Sequence, residues 1–533
     1  MQHADHMSST RTPMSRVVLA ASSGTVFEYY DFLLYGSLVT FFGGLFFPPG
    51  NSTAALLASL ATFGAGFAIR PLGAMIFGRL GDRVGRKRTF LITIVLMGLS
   101  TALVGVLPSY EAIGWWAPAL LVTLRLLQGL ALGGEFGGAA IYIAEHCDDE
   151  RRGYYTSWIQ TTATMGLIAS LLVIVACRSL LGDEAFRDWG WRIPFLLSSL
   201  LLVLSIYVRT RISESPAFEA LRAQGGLSDS PVSESLLGKA NRGALLAAIV
   251  VAATMALSWY TAQFYSLVFM QTVLLIDVTS ASLVIVVALA LGILTYLFAG
   301  ILSDRIGRRP VMLAGMLLVT LSIIPAYRGM LTVGNPALDT LRTSAPVTVF
   351  AAAPTFDPFA MQAPDDASKV RDLLAKRGIS YGNVPARDDA NVIVRIGSRE
   401  LRGFDRDALN SALASEGYPE RSPLAPIRGL GDFDLPHAKL AAIILFLIVG
   451  AGLTCGPGAA WLAEIFPTRI RYTSLSVPYH LTSAWFGGFM PLTATWLVAR
   501  SGDVLAGLWY PVIVMGTGFV LSVVLMRETR IVR

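Results

Sequence analysis

Apolar runs of about 20 residues, the length needed to cross a bilayer, recur along this chain from beginning to end. Only 15% of its 533 residues are charged, where a soluble domain carries about a quarter. A very large soluble core does not call for runs of that length, so the expected solvent for most of the chain is lipid. The runs fall at roughly 17–47, 53–77, 89–108, 115–144, 154–181 and 191–208, then 243–272, 279–302, 311–328, 437–464, 473–499 and 507–526. An isolated strand in lipid leaves its backbone groups unpaired, so all are expected to be helices. The fold class predicted is an all-α membrane protein with about twelve spans.

The formal net charge of +6 would point to nucleic acid in a soluble chain. Here the basic residues cluster in short loops between apolar runs, where they set orientation in the membrane, and no nucleic-acid partner is expected. Arg11 and Arg16 precede the first run, and basic residues follow every even-numbered run, as with Arg151 and Arg152 after the fourth. Odd exits are poor in Lys and Arg apart from Arg178, Arg187 and Arg500. Both termini are therefore expected in the cytoplasm of a multi-pass inner-membrane protein. The first run soon meets Glu28 and Asp31, which reads as a retained span rather than a cleaved leader; Met7 and Met14 are alternative starts. Cys147, Cys177 and Cys455 have no paired spacing, so neither a disulfide framework nor a metal site is expected. No cofactor is expected: there is no GxxxxGK[ST], and GAGF at 64–67 lies inside a span.

Two polar stretches divide the pattern. Residues 209–242 read as a cytoplasmic linker between six-helix halves, 1–208 and 243–328 with 437–533. Residues 329–436 contain no span and lie between the ninth and tenth runs, outside the cytoplasm on this topology. Within them VTVFAAA (347–353) and NVIVRIG (391–397) read as strands, and 365–378 and 405–417 as helices. A small α+β insertion is expected; a disordered loop is the alternative.

The chain also repeats itself. GRLGDRVGRK at 78–87 and GILSDRIGRR at 300–309 share Gly, Leu, Asp-Arg and Gly-Arg-basic at matching places, with Asp82 and Asp304 222 positions apart. AEHCDDERRG (144–153) matches AEIFPTRIRY (463–472), placing Glu145 opposite Glu464 and Arg152 opposite Arg471 at an offset of 319. The excess of 97 residues is close to the length of the inserted segment. Two similar six-helix halves are the plan of rocker-type secondary transporters.

The residues FEYYDFLLYG (27–36), RPLGAMIFGRLGDRVGRKR (70–88), RLLQGLALGGEFGGA (125–139), RRGYYTSWIQ (151–160), WGWRIPFLLS (189–198), ISESPAF (212–218), LSDRIGRRP (302–310) and AEIFPTRIRYT (463–473) follow in order. With them the chain resembles the major facilitator superfamily and, within it, the metabolite:proton symporter family. The resemblance covers nearly everything except 329–436. It implies two pseudo-symmetric bundles, a small-molecule solute moved with protons, and a single chain as the working unit. It also places Arg125 at the family's fourth-span arginine.

Each bundle of a rocker needs a reversible latch on the cytoplasmic face. Asp82, with Arg83 and Arg86, and Asp304, with Arg305 and Arg308, are candidates, together with Glu145, Arg152, Glu464 and Arg471. Anchoring by positive charge explains the arginines but not the matching Asp and Gly.

Ionisable groups inside spans are expensive and usually line a water-filled path or pair with one another. Glu28 and Asp31 share one helix face, and Gln128 and Glu135 share another. Glu28, Asp31 and Glu135 are candidate proton carriers, with Arg125 tuning them; a structural ion pair is the alternative for Arg125. Arg70 lies near the inner end of the second span. In SWYTAQFYS (258–266), Tyr260 and Gln263 are one turn apart and are candidates to line a cavity, though interfacial aromatics read the same way. His480 is a weaker candidate. Gly129, Gly133 and Gly137 are four apart, the spacing that lets helices touch. The expected function is proton-coupled uptake of a small polar metabolite. Arg70 and Arg125 favour a carboxylated solute, with a zwitterion such as proline or betaine as the alternative. Rival functions are an exporter of the same fold and a membrane sensor using the outer segment. No nucleophile–base or metal-ligand set points to an enzyme.

Overall fold

A computed structural model describes residues 14–84, 86–134, 136–210, 234, 238, 241–352, 357–360, 363, 365–386, 392–467 and 470–530. Of the polar stretch 209–242, expected as the linker, residues 211–233, 235–237, 239 and 240 lie outside the described residues.

Helices dominate because each satisfies its own backbone without water. In the first half they are Met14–Ser37 with Val39–Phe46, Ser52–Ala68 with Arg70–Val84, Arg86–Val104, Trp116–Leu132 with Phe136–His146, Arg152–Leu181 and Arg192–Thr210. The second half has Arg242–Trp259 running through a π-turn into Ser266–Thr272, then Val278–Ile306, Arg308–Gly334 and Leu435–Cys455 with Gly458–Glu464. Arg471–Thr482, which a π-turn joins to Met490–Ser501, and Trp509–Leu525 complete it. Among the described residues, eight runs are long and apolar enough to cross a membrane. The pair Asp183–Gly190 and Arg192–Tyr207, bent by 57°, makes a ninth if counted as one span. The stretches expected at 17–47, 89–108 and 473–499 are helical too. The first breaks at Leu38, the second offers only Leu91–Val104 as an apolar stretch, and the third is divided at Ser483–Gly488. Large apolar side chains stand exposed on the outer helix faces, among them Leu294, Phe298 and Val524, a surface that suits lipid.

The two halves meet along matching helix pairs. Arg152–Leu181 packs against Val278–Ile306, and Arg70–Val84 packs against Arg471–Thr482. Phe63 and Phe264 stack across the seam with ring centroids 4.5 Å apart. Within the first half, close approach depends on missing side chains. A Cβ on Gly129 would lie 1.7 Å from the Gly66 carbonyl oxygen, and one on Gly133 would lie 2.2 Å from that of Arg70. Gly129→Val therefore forces two backbones apart, at about 3 kcal/mol or more. Its thermal unfolding midpoint in detergent should fall well below wild type; an unchanged midpoint would refute this packing.

Residues 336–429 depart from the helical plan. Pro336–Ser344, which the sequence did not suggest, forms because Asn335 caps it and Pro336 occupies its first position. A four-stranded sheet follows, in the order β2-β1-β3-β4: β1 Val347–Ala351, β2 Tyr381–Pro385, β3 Ile393–Ile396 and β4 Arg399–Arg402. β1 and β2 run parallel, Val349 facing Asn383, joined through the helix Asp366–Lys376. β1–β3 and β3–β4 are antiparallel. The helix Arg406–Ser415 follows β4. β2 and β4 carry too few alternating apolar residues to stand out in the sequence. The helices Arg308–Gly334 and Leu435–Glu464 start and end at opposite poles, so this sheet lies about 40 Å from Arg308, at the other end of the bundle.

Candidate functional site

At the pole around Arg308 the two halves are joined by reciprocal ion pairs. Arg152 Nη1 donates to Glu464 Oε1 and Arg471 Nη1 donates to Glu145 Oε1, each at 3.3 Å. These four residues occupy the repeat-related positions, so each arginine reaches the partner half's glutamate. Asp304 adds a different bond. Its carboxylate oxygens accept the N–H groups of Gly153 and Tyr154 at 2.9 Å each, capping the first turn of Arg152–Leu181 from the other half. An acid at a helix N-terminus gains both the hydrogen bonds and the helix dipole. Arg308 is fully buried and donates to Asp304 at 2.6 Å and to Glu464 at 3.3 Å. Arg305 is exposed and, among the described residues, joins no ion pair. The side chains of Asp82, Arg83 and Arg86 lie outside the described residues.

Glu528 was not anticipated. It accepts the N–H groups of Arg308 and Arg309 at 2.9 Å, capping the helix Arg308–Gly334. Thr529 donates to Glu464, and Arg530 Nη1 donates to the Asp149 carbonyl at 2.6 Å. The tail thus joins this cluster of bonds at the pole; the available signal was a lone acid in the basic stretch RETRIVR.

Between the halves, near mid-bundle, lies a small cavity of about 30 Å³. Tyr29, Arg70, Gln160, Trp259, Tyr260 and Tyr479 are in its lining. That volume suits one or two waters and is too small for an organic solute. Arg70 is buried, with its guanidinium 4.2 Å from the Phe32 ring centroid and 3.7 Å from that of Phe67. Its Nε and Nη2 have no hydrogen-bond acceptor in good geometry. Arg125, fully buried, shares the Phe32 ring at 4.3 Å. Its Nη1 donates to the Phe32 carbonyl at 3.1 Å and to Gln128 Oε1 at 2.6 Å, and Gln128 donates on to Thr101 at 2.9 Å. Among the described residues, no ion pair joins Arg125 to Glu28 or Asp31. Two guanidiniums around one phenylalanine leave the centre strongly positive.

The other sequence candidates are distributed differently. Asp31 is buried and accepts the Ser198 hydroxyl at 2.5 Å, inside the first half. Glu28 is buried on the same helix; neither acid is in the cavity lining. Glu135 lies outside the described residues. Tyr260 lines the cavity, whereas Gln263 bridges helices, donating to Tyr296 at 2.6 Å and accepting from Thr164 at 3.2 Å. The π-turn Tyr260–Tyr265 shifts the helical register between them, which an ideal-helix reading does not foresee. His480 is buried beside Tyr479. Tyr29, Gln160 and Tyr479 were missed as cavity residues, the two tyrosines because aromatics are common throughout such a chain.

A family model described as Major Facilitator Superfamily matches residues 50–368. The chain is 40% identical over 322 residues to the shikimate transporter of Escherichia coli (strain K12), covering 59% of this chain and 72% of that protein. It is 36% identical over 322 residues to the proline/betaine transporter of Salmonella typhimurium, covering 59% of this chain and 64% of that one. Its fold is similar to that of the proton:xylose symporter XylE of E. coli, with a TM-score of 0.64 at 15% identity over 97% of this chain and 96% of that chain. Two matching halves, reciprocal ion pairs between them and a central cavity agree with these likenesses, and the chain belongs to the Major Facilitator Superfamily.

Proposed function

We propose that this protein is a proton-coupled symporter that imports a small carboxylated metabolite by rocking its two halves about the central cavity. One observation carries the reading: Arg70 lines that cavity with two donors, Nε and Nη2, that meet no acceptor in good geometry, and Arg125 places a second buried guanidinium on the same Phe32 ring. A buried cation is costly unless an anion meets it, and the planar fork of arginine suits a carboxylate. The similarity to a shikimate transporter supports a carboxylated solute. On this reading twelve spans form two bundles, 1–208 and 243–328 with 437–533, with both termini and the ion-pair latch in the cytoplasm. The α+β segment 329–436 then stands on the outer face. Asp31 and Glu28, both buried in the first half, carry the proton together with Glu135, and the solute biases their protonation.

In proteoliposomes, adding the transported organic acid should alkalinise the outer medium in step with uptake. Solute uptake with no proton movement would overturn the coupling.

The aromatic lining from Tyr29, Trp259, Tyr260 and Tyr479 favours a second reading, a zwitterion with its cation against the rings and its carboxylate on Arg70. The proline/betaine relative supports it. Voltage separates the two. A monoanion entering with one proton moves no net charge and responds only to pH, at about 1.4 kcal/mol per unit. A zwitterion with one proton also feels the potential, at about 2.3 kcal/mol per 100 mV.

A further inference from the structure

A second, larger cavity lies at the pole opposite the latch. It measures about 840 Å³, within the range of small-molecule sites. One wall is the connection 43–55, continuous with the helix Ser52–Ala68 of the first half. The other wall comes from the sheet-bearing segment: the helix Asp366–Lys376, Arg377, and residues from 404 to 421.

The charges in this cleft do not balance. Its two acids are already engaged. Asp372 accepts the Thr53 N–H at 2.9 Å, the Thr53 hydroxyl at 2.7 Å and the Ser52 hydroxyl at 3.1 Å, and Glu420 pairs with Arg377. Lys369 is paired with Asp366 at 2.9 Å. Lys376, Arg406 and Arg421 line the cleft without an ion pair among the described residues. Arg377 is the buried member: its side chain is 12% exposed, and its Nη1 is inaccessible to solvent and has no acceptor. Several cations around one concavity focus a positive field, which favours an incoming oxyanion.

We propose that this cleft is a binding site for small di- and tricarboxylate anions, distinct from the central cavity. Several cations spread around a cleft of this size suit a ligand with more than one carboxylate better than a single small ion. The site also bridges the halves. Its sheet-side wall is tied to the second half by Tyr381, whose N–H donates to Gly502 O at 2.8 Å and whose hydroxyl donates to Ala499 O at 3.0 Å. Ser422 adds a bond to Gly334 O at 2.7 Å. A bound anion therefore touches both bodies, and on the transport reading above its occupancy changes as they rock.

The test reads binding rather than flux, so it stands or falls separately from transport. Radiolabelled citrate is equilibrated with the purified full-length chain at low ionic strength, in an Arg70→Gln background that disables the central cavity. Saturable binding should persist there. Arg377→Gln should weaken it at least about tenfold. Lys376→Gln with Arg421→Gln, both at exposed positions and so benign for folding, should do the same. Unlabelled succinate should displace citrate better than equimolar sulfate. Absence of binding in the Arg70→Gln chain, binding that the cleft substitutions leave unchanged, or equal displacement by sulfate would overturn the proposal.

Discussion

Arg70→Gln should lower uptake at subsaturating solute about 100-fold while leaving the protein as stable as wild type or more so. The two halves of that expectation share one cause. Arg70 is buried against Phe32 and Phe67, with donors that meet no acceptor in good geometry. A charge in that position lowers the stability of the fold, and on the proposed function it is there to bind the solute. Truncating one partner of a buried charged hydrogen bond costs about 2–5 kcal/mol, and about 2.7 kcal/mol corresponds to 100-fold. Arg70→Lys keeps the charge but loses the planar fork, so it should recover part of the activity only. Uptake kinetics together with thermal unfolding in detergent check this. A structural role would show the reverse: a lower unfolding midpoint with residual flux in proportion to folded protein.

The second large effect concerns the reciprocal latch. Arg471→Glu places two acids together where Arg471 now meets Glu145 at 3.3 Å. Like charges brought together across an interface cost several kcal/mol, and about 3 kcal/mol shifts a two-state equilibrium roughly 150-fold. The latched state should be depopulated and turnover should fall at least about tenfold. Adding Glu145→Arg reverses the pair and should restore most of the turnover. Spin labels at Glu150 and Ile306, exposed positions on opposite halves, would report the pole opening in the single variant and closing in the double. If the double variant remains as impaired as the single, the pair is not the latch.

Glu464 gathers several bonds at the pole. It receives Arg152 from the facing half, Arg308 from its own half and Thr529 from the tail. Glu145 receives Arg471 alone among the ion pairs of the described residues. The cross-half pairs are symmetric; Arg86 and Asp82, the repeat counterparts of Arg308 and Asp304, have side chains outside the described residues. The additional bonds gather where Glu528 and Arg530 bring the C-terminal tail against the pole.

The sequence by itself determined the solvent, the repeat and the family. Apolar runs of bilayer length leave little choice but helices, because lipid offers the backbone no partner. Paired motifs 222 and 319 residues apart specify two halves with a long insertion, since matching charged loops have no other reason to recur. Residue types at the latch were legible for the same reason: Glu145, Arg152, Glu464 and Arg471 stand out as charges at repeat-related ends of apolar runs. Only the tertiary structure decided who meets whom. Arg152 lies 312 residues from Glu464 and Arg471 lies 326 from Glu145, and such pairs depend on how whole bundles pack rather than on local spacing. The same holds inside the bundle. Helical periodicity put Tyr260 and Gln263 on one face, but a π-turn sent one to the cavity and the other to Tyr296. Local pattern fixes which face of a helix is polar; the register against its neighbours, set by close-packed glycines such as Gly129 and by the seam between halves, fixes where that face points.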